Sequence, residues 1–340
     1  MKDDAVAPII AVMLILAASV TFLSIWNAVY LPSMKQSAEV EHLQNVESAF
    51  VQFSSDIETA VSMKKDLSFS KPVQLGGGDF IFNSLRSSGS LHVQNEPYPI
   101  YDITLNQAST VLQMNGTLVN FSYEPVGNFW QDQGYRWQYG YINVTKYGTR
   151  QTPLRYYTMT DVTSEIGDIN SSLARFAQSF GEVEYTQNHS FQMNNSTTTI
   201  DNTTITTTTI SQMQGYCSSI DLFAVTISAS PDHPFVSSNG FGTLKITTAV
   251  NRPDPYYNVT SISFGSGGSE GSGTLNAFRN ATWYRWNDSF ANGPAKYCTN
   301  NIIYNNTSST TGFSRYDMIN QTISPVIVNL NLVEIRISAY

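Results

Sequence analysis

The residues of this chain best able to do chemistry are four histidines, two cysteines, one short acidic run and a scatter of strand aromatics. His42, His92, His189 and His233 each stand alone. None has a second ligand at HxxxH or similar spacing, so they do not read as a zinc site. Asp161, Glu165 and Asp168 offer hard oxygen ligands suited to calcium, but they lack EF-hand spacing and read as a solvated acidic surface. No GxSxG, Walker loop or helix-fronted GxGxxG occurs. Gly265–Gly273 is glycine-rich, yet no Lys-Ser/Thr pair follows it. Paired carboxylates for glycoside hydrolysis are a matter of space, which spacing along the chain does not settle. Tyr135, Trp137, Tyr139, Tyr141, Trp283 and Trp286 have the faces to stack on sugars, although alternating strand aromatics more often form core or cross-strand pairs. The chain therefore reads as a non-enzyme, with no metal and no cofactor expected.

Cys217 and Cys298 are the only cysteines. Neither lies in a CxxC or beside a histidine. An even count in an exported chain allows one disulfide, and closing so long a loop would stabilise the fold by ~4 kcal/mol in the chain-entropy treatment. Two buried free thiols are the other reading. The sequon Asn-x-Ser/Thr occurs at Asn115, Asn120, Asn143, Asn170, Asn188, Asn194, Asn195, Asn202, Asn258, Asn280, Asn287, Asn305, Asn306 and Asn320. With Ser and Thr at roughly a fifth of the chain, its asparagines would produce about six by chance. The excess, all of it after the first hundred residues, points to an extracellular, N-glycosylated body; a merely Ser/Thr/Asn-rich composition is the bland alternative. Formal net charge is -8, and Lys64–Lys65 is the only adjacent basic pair. That excludes nucleic acid as a partner, because phosphate binding needs clustered Lys and Arg.

The elements that must position these residues begin with Ala5–Leu31, an uncharged run. It exceeds the roughly 20 apolar residues that cross a bilayer core and is apolar on all sides. Pro8 falls in its first turn, where a missing N–H costs nothing, so the helix should start near Ala5–Ala7. No A-x-A site follows the run, so it should be retained rather than cut as a secretory signal. Past Pro32 the pattern becomes striped. Leu43, Val46, Phe50, Phe53, Ile57 and Ala60 follow a 3-4-3-4-3 spacing. That predicts an amphipathic helix over Gln36–Lys65, kinked at Pro32, its seam packed on the chain's own body or on neighbouring copies.

Strand signals dominate from Pro72 onward. Thr110–Tyr123 reads as a hairpin turning at Asn115-Gly116 in a type I′ turn. Tyr135–Tyr147 and Leu154–Met159 read as strands, and Ser164–Phe180 as a short helix with Ile166, Ile169, Leu173 and Phe176 on one side. The Thr-rich Asn194–Ile210 reads as a surface strand or hairpin, with a mobile glycosylated stretch as the competitor. Ile220–Ser228, Phe241–Val250, Tyr256–Phe264, Leu275–Trp286 and Asn301–Tyr304 read as strands, and Gly265–Gly273 as a flexible loop. Val326–Ile337 is a last strand whose alternation switches near Leu332-Val333, which predicts a β-bulge. The fold class is α+β: a long hydrophobic N-terminal helical stalk (5–66, with 5–31 for membrane or filament core), then a large β-rich, β-sandwich-like head (67–340). The head is expected as one body or as two lobes dividing near 186–215.

The stretch from Asp4 to Leu31 resembles the N-terminal segment of archaeal type IV pilins and archaellins. The matching features are charged residues directly before the oily run, the AVAPII opening, and an uninterrupted apolar helix entering a heptad stalk. The resemblance implies a short leader, residues 1–4, removed by a prepilin peptidase. The junction lies among Lys2, Asp3, Asp4 and Ala5; a Lys/Arg-Gly or Lys/Arg-Ala junction is absent, so cleavage after Lys2, Asp3 or Asp4 stays open. It also implies a helix that sits first in membrane and then in a filament core, burying Pro8, Ile9, Ile10, Leu14, Leu16, Phe22 and Trp26 among copies of itself. The implied partners are other copies, the membrane before assembly, the peptidase and assembly machinery, and surface glycans. The expected role is a structural subunit of an extracellular filament for adhesion or shaft building. A non-polymerising, membrane-anchored surface glycoprotein or carbohydrate-binding protein is the alternative.

Overall fold

A computed structural model describes residues 6–77, 87–127, 132–147, 150–188, 191–200, 203–212, 215–268, 270–305, 312–319 and 325–340. Helix α1 (Val6–Ile25) passes through a π-helical turn at Trp26–Tyr30 into α2 (Leu31–Met63). Pro32 accounts for that wide turn. It has no N–H to donate, and its ring presses on the carbonyl four residues back, so a locally looser helix relieves both defects. The N–H of Leu31 bonds to the carbonyl of Trp26 instead. The irregularity expected at Pro32 takes this form, and the amphipathic helix starts five residues earlier than its polar pattern suggests.

The head follows as β1 (Leu67–Gln74), β2 (Ser88–Asn95), β3 (Tyr101–Gln107), β4 (Val111–Gly116), β5 (Val119–Gly127), β6 (Gln133–Gln138), β7 (Tyr141–Lys146) and β8 (Arg150–Pro153). Helices α3 (Met159–Gly167) and α4 (Ser172–Gln178) come next, then β9 (Gly181–Asn188), β10 (Phe191–Ile200), β11 (Thr203–Gln212), β12 (Tyr216–Ala229), β13 (Phe235–Ser238), β14 (Phe241–Asn251) and β15 (Val259–Gly265). Helices α5 (Gly273–Asn292) and α6 (Pro294–Tyr297), then β16 (Ile302–Tyr304), β17 (Phe313–Met318) and β18 (Ile327–Ala339), complete it. The sheets run β1-β14-β18-β12-β9, β13-β2-β5-β6-β7-β8, β16-β17-β15-β3-β4, and the pair β10-β11. Among the described residues all strand pairings are antiparallel except β12 with β18.

The seam of α2 packs on the chain's own body. Leu43, Val46, Phe50, Phe53, Ile57 and Ala60 are all buried, and α2 meets β1, β14 and β18 of one sheet and β6 and β7 of another. Phe50 and Phe53 lie 5.1 and 5.2 Å, centroid to centroid, from Phe121. The indole N–H of Trp137 donates to Ser54 Oγ at 2.9 Å, and Tyr135 donates to Glu47 at 3.2 Å. One buried apolar cluster runs from this seam to Ala339. The long β-rich head on an apolar helix is the α+β architecture expected from the sequence.

Several local expectations are corrected. Asn115-Gly116 is no turn: β4 pairs with β3, while β5 pairs with β2 and β6 in a different sheet. Gly116 is glycine because a Cβ there would stand 2.1 Å from the Tyr101 ring. The type I′ hairpin of this region is Tyr139-Gly140, with φ of 52° and 86°, which joins β6 to β7. Strand β8 stops at Pro153, so Leu154–Thr158 is not strand. Ser164–Phe180 holds parts of two helices, with Ile166, Leu173 and Phe176 buried and Ile169 exposed. Leu275–Trp286 is not strand but the body of α5. β18 has no bulge, since its register with β12 and β14 is unbroken. Its alternation switches because Val328 and Leu330 are buried on one face and Val333, Ile335 and Ile337 on the other. β9 and β12, on either side of the ribbon β10–β11, pair with each other.

Candidate functional site

From Pro8 to Tyr30 the stalk leaves the head and carries its apolar side chains bare. Ile9 is 59% exposed, Leu14 65% and Phe22 65%; Ile10, Val12, Met13, Ile15, Leu16, Val20 and Leu23 are open too. Pro8 is also exposed, and Trp26 is half-buried. The few polar side chains turn back on their own helix. Ser19 donates to the Ile15 carbonyl at 2.8 Å, Thr21 to Ala17 at 3.0 Å, Ser24 to Val20 at 2.8 Å and Asn27 to Leu23 at 3.1 Å. Such back-bonding satisfies the hydroxyls without water. The rod thus presents carbon on every side. Taking one Leu, Ile or Phe out of water is worth about 1.5–3 kcal/mol, so the rod as a whole favours an apolar surrounding by on the order of 20 kcal/mol.

The rod's length fits a bilayer. At about 1.5 Å per residue Pro8–Tyr30 spans roughly 34 Å, against a hydrocarbon core of about 30 Å. It belongs to a helix long and apolar enough to cross a membrane. At its head-side end Phe22, Trp26 and Tyr30 stack in four-residue steps, with centroids 6.3 and 5.9 Å apart. The indole N–H of Trp26 has no hydrogen-bond partner among the described residues. Aromatic rings with a polar tip suit the border between hydrocarbon and water. The next residue, Leu31, is buried, as is His42 further along the helix. His42 Nε2 lies 2.8 Å from the Gln74 carbonyl, and its ring meets Tyr123 edge-on. Burial holds this imidazole below its usual pKa, offset in part by the Gln74 carbonyl and the nearby Glu39. Lys2, Asp3, Asp4 and Ala5 lie outside the described residues.

The other sequence candidates are dispersed. Cys217 and Cys298 form a disulfide with Cα atoms 5.4 Å apart, tying the start of β12 to the end of α6. Asn301 braces it, accepting from the Cys217 N–H and donating to the Cys217 carbonyl at 2.9 Å. Among the sequons, Asn115, Asn170, Asn258, Asn280 and Asn305 are exposed, and Asn287 is half-buried. Asn120 is buried and donates to Glu96, and Asn143 is only 1% exposed. The side chains of Asn188, Asn194 and Asn195, and the residues Asn202, Asn306 and Asn320, lie outside the description. His92 packs on Phe235 and His233 on Tyr340; His189 lies outside the described residues. Asp161 closes a capping box with Thr158 at the start of α3, and Asp168 accepts from the Asn170 N–H. Among the described residues no three His, Cys, Asp or Glu side chains gather as a metal site.

The aromatics proposed for sugar stacking are core. Tyr135, Trp137, Tyr139, Tyr141 and Trp286 are buried, and Trp283 is half-buried. Phe264 stacks on Trp286 at 5.2 Å. Sequence reasoning missed Arg279, a fully buried arginine on α5. Its guanidinium donates to the carbonyls of Pro99 at 2.8 Å, Gly268 at 3.2 Å, Gly267 at 3.3 Å and also Glu270. Gly267, Gly268 and Glu270 of the glycine-rich stretch thus hold a cation through their carbonyls. The only signal in the sequence was an Arg lying within reach of so many glycines.

Compared with known proteins, the chain matches no family model, no curated protein and no solved structure.

Proposed function

We propose that this chain is a structural subunit of a pilus-like extracellular filament. Its Pro8–Tyr30 rod passes from the membrane into a core built by identical rods, and the β-rich head forms the outer surface, for shaft building or adhesion. One observation carries the reading: the head buries α2 completely along its seam yet leaves the preceding rod bare on every side. A rod with no polar face needs lipid or other rods around it. Identical rods related by a rotation and a rise meet head to tail, a contact that does not close and so extends into a helical filament. The likeness of Asp4–Leu31 to the pilin and archaellin N-terminus supports the same reading, and adds a prepilin peptidase and assembly machinery as partners. The activity is mechanical, with no turnover.

The test is to shear surface fibres from cells, sediment them and sequence the N-terminus of the protein they contain. A pelletable fibre whose subunit begins between Asp3 and Ala5 is the expected result. Recovery only as dispersed membrane monomer with Lys2 retained would leave a plain surface anchor.

A further inference from the structure

Strands β10 and β11 form a ribbon in unbroken antiparallel register, from Phe191 opposite Gln212 to Ile200 opposite Thr203. Among the described residues no third strand joins either edge. Along the chain the ribbon lies between β9 and β12, which pair as far as Asn188 opposite Tyr216. Ten residues per strand at about 3.4 Å each make an arm roughly 34 Å long. A two-stranded ribbon is marginal in water, because half of each strand's backbone N–H and C=O groups point away from the partner.

Free edges are normally blunted by lysine, proline, a bulge or brevity. Residues 191–212 carry none of these: they hold no Lys, Arg, Pro or Gly, and Asp201 is their only charged residue. Thr and Ile, both β-branched, make up most of the stretch, the composition of segments that add strand to strand.

We propose that this arm is an edge-pairing surface for a second copy of the chain, the β11 edge of one copy taking the β10 edge of the next. Three features choose a second copy over another partner. The arm carries too little charge for copies to repel one another. Its run of threonines offers a foreign partner little to recognise beyond the backbone itself. Copies whose arms point the same way bring β11 against β10 in antiparallel sense, so each addition restores the same pair of free edges. The proposal goes beyond the filament reading, because copies anchored side by side in one membrane present the same two edges.

The experiment uses full-length chain in detergent micelles. Hydrogen exchange is read by peptide mass from dilute to concentrated protein, for the native chain, a Thr198→Lys/Thr207→Lys variant, and dilute native chain mixed with excess chain lacking 191–212. In the native chain, peptides within 191–212 are expected to slow by about tenfold or more with concentration. In the lysine variant they stay fast, while its other peptides match the native chain and show an intact head. The arm-deleted chain is expected to give no protection. Arm exchange independent of concentration would overturn the proposal, leaving the arm as a bare carrier of the sequons at Asn194, Asn195 and Asn202. Equal slowing in the lysine variant, or slowing by the arm-deleted chain, would overturn it too. Fibre formation is scored separately by sedimentation, so a chain that protects its arm without polymerising separates the two readings.

Discussion

Phe53→Ala tests whether the lower stalk is truly part of the head's core. Phe53 is fully buried, edge-on to Phe121, which itself stacks on Trp137 at 5.1 Å. Truncation leaves a void of about 100 Å³. At about 24 cal/mol per Å³ an uncollapsed void costs about 2.4 kcal/mol, and lost transfer energy adds about 2, for a total near 4 kcal/mol. In a body of this size each kcal/mol moves Tm by roughly 2–4 °C, so a fall of about 8–16 °C is expected. Denaturant and thermal unfolding of full-length chain in micelles, followed by tryptophan fluorescence, measure it. Trp137 reports from inside the same cluster. Val40→Ala, an exposed position on the same helix, is the control and should stay within about 0.5 kcal/mol of the native chain. A loss under about 1 kcal/mol for Phe53→Ala would refute the intramolecular seam and return it to contacts between copies.

Three further outcomes are expected. Arg279→Met strips the donor from four carbonyls and should cost about 3 kcal/mol; faster proteolysis within 265–273 is the local readout, and unchanged cleavage would count against the clasp. Because burial holds His42 below its usual pKa, the folded state resists a proton that the unfolded chain accepts. The stability that follows is full above about pH 6.5 and is lost as pH falls below it; His42→Gln should flatten that part of the stability profile, and an identical slope in both proteins would refute the assignment. Glycopeptide mapping should find Asn120 and Asn143 bare, with glycans drawn from exposed sites such as Asn115, Asn170, Asn258, Asn280 and Asn305; an occupied Asn143 is incompatible with this fold.

The features legible in the sequence are those written by uniform patterns. The uncharged run and the 3-4 seam each repeat one rule over many residues, and no tertiary contact has to be known to read them. The Thr-rich ribbon was legible for the same reason, β-branched residues having few other uses. The failures come where a residue answers to a distant neighbour. Gly116 looked like a turn residue, but it is small because Tyr101 lies against it. Trp283, Tyr284 and Trp286 looked like strand residues, yet Leu275, Phe278, Thr282, Trp286 and Phe290 are buried at helical intervals; Arg279, lying in that buried stripe, hid the pattern. The switch in β18 was visible, but a strand that trades one buried face for the other looks in sequence just like one that bulges. The candidate site was legible as a rod. Whether its striped lower half packs on the head or on neighbouring copies was not, because either partner would bury the same seam.

The wide turn at Trp26–Tyr30 has a consequence for orientation. An ordinary helix advances about 100° per residue, and one residue taken into a wider turn resets the compass bearing of everything beyond it. The head is clamped to the helix below that joint, and the rod above it meets whatever surrounds the protein. The joint therefore decides which way the head looks from the rod, much as a keyway sets the angle of a wheel on its shaft. Removing one residue there, without touching a single contact of the head, would swing it by about a quarter of a turn.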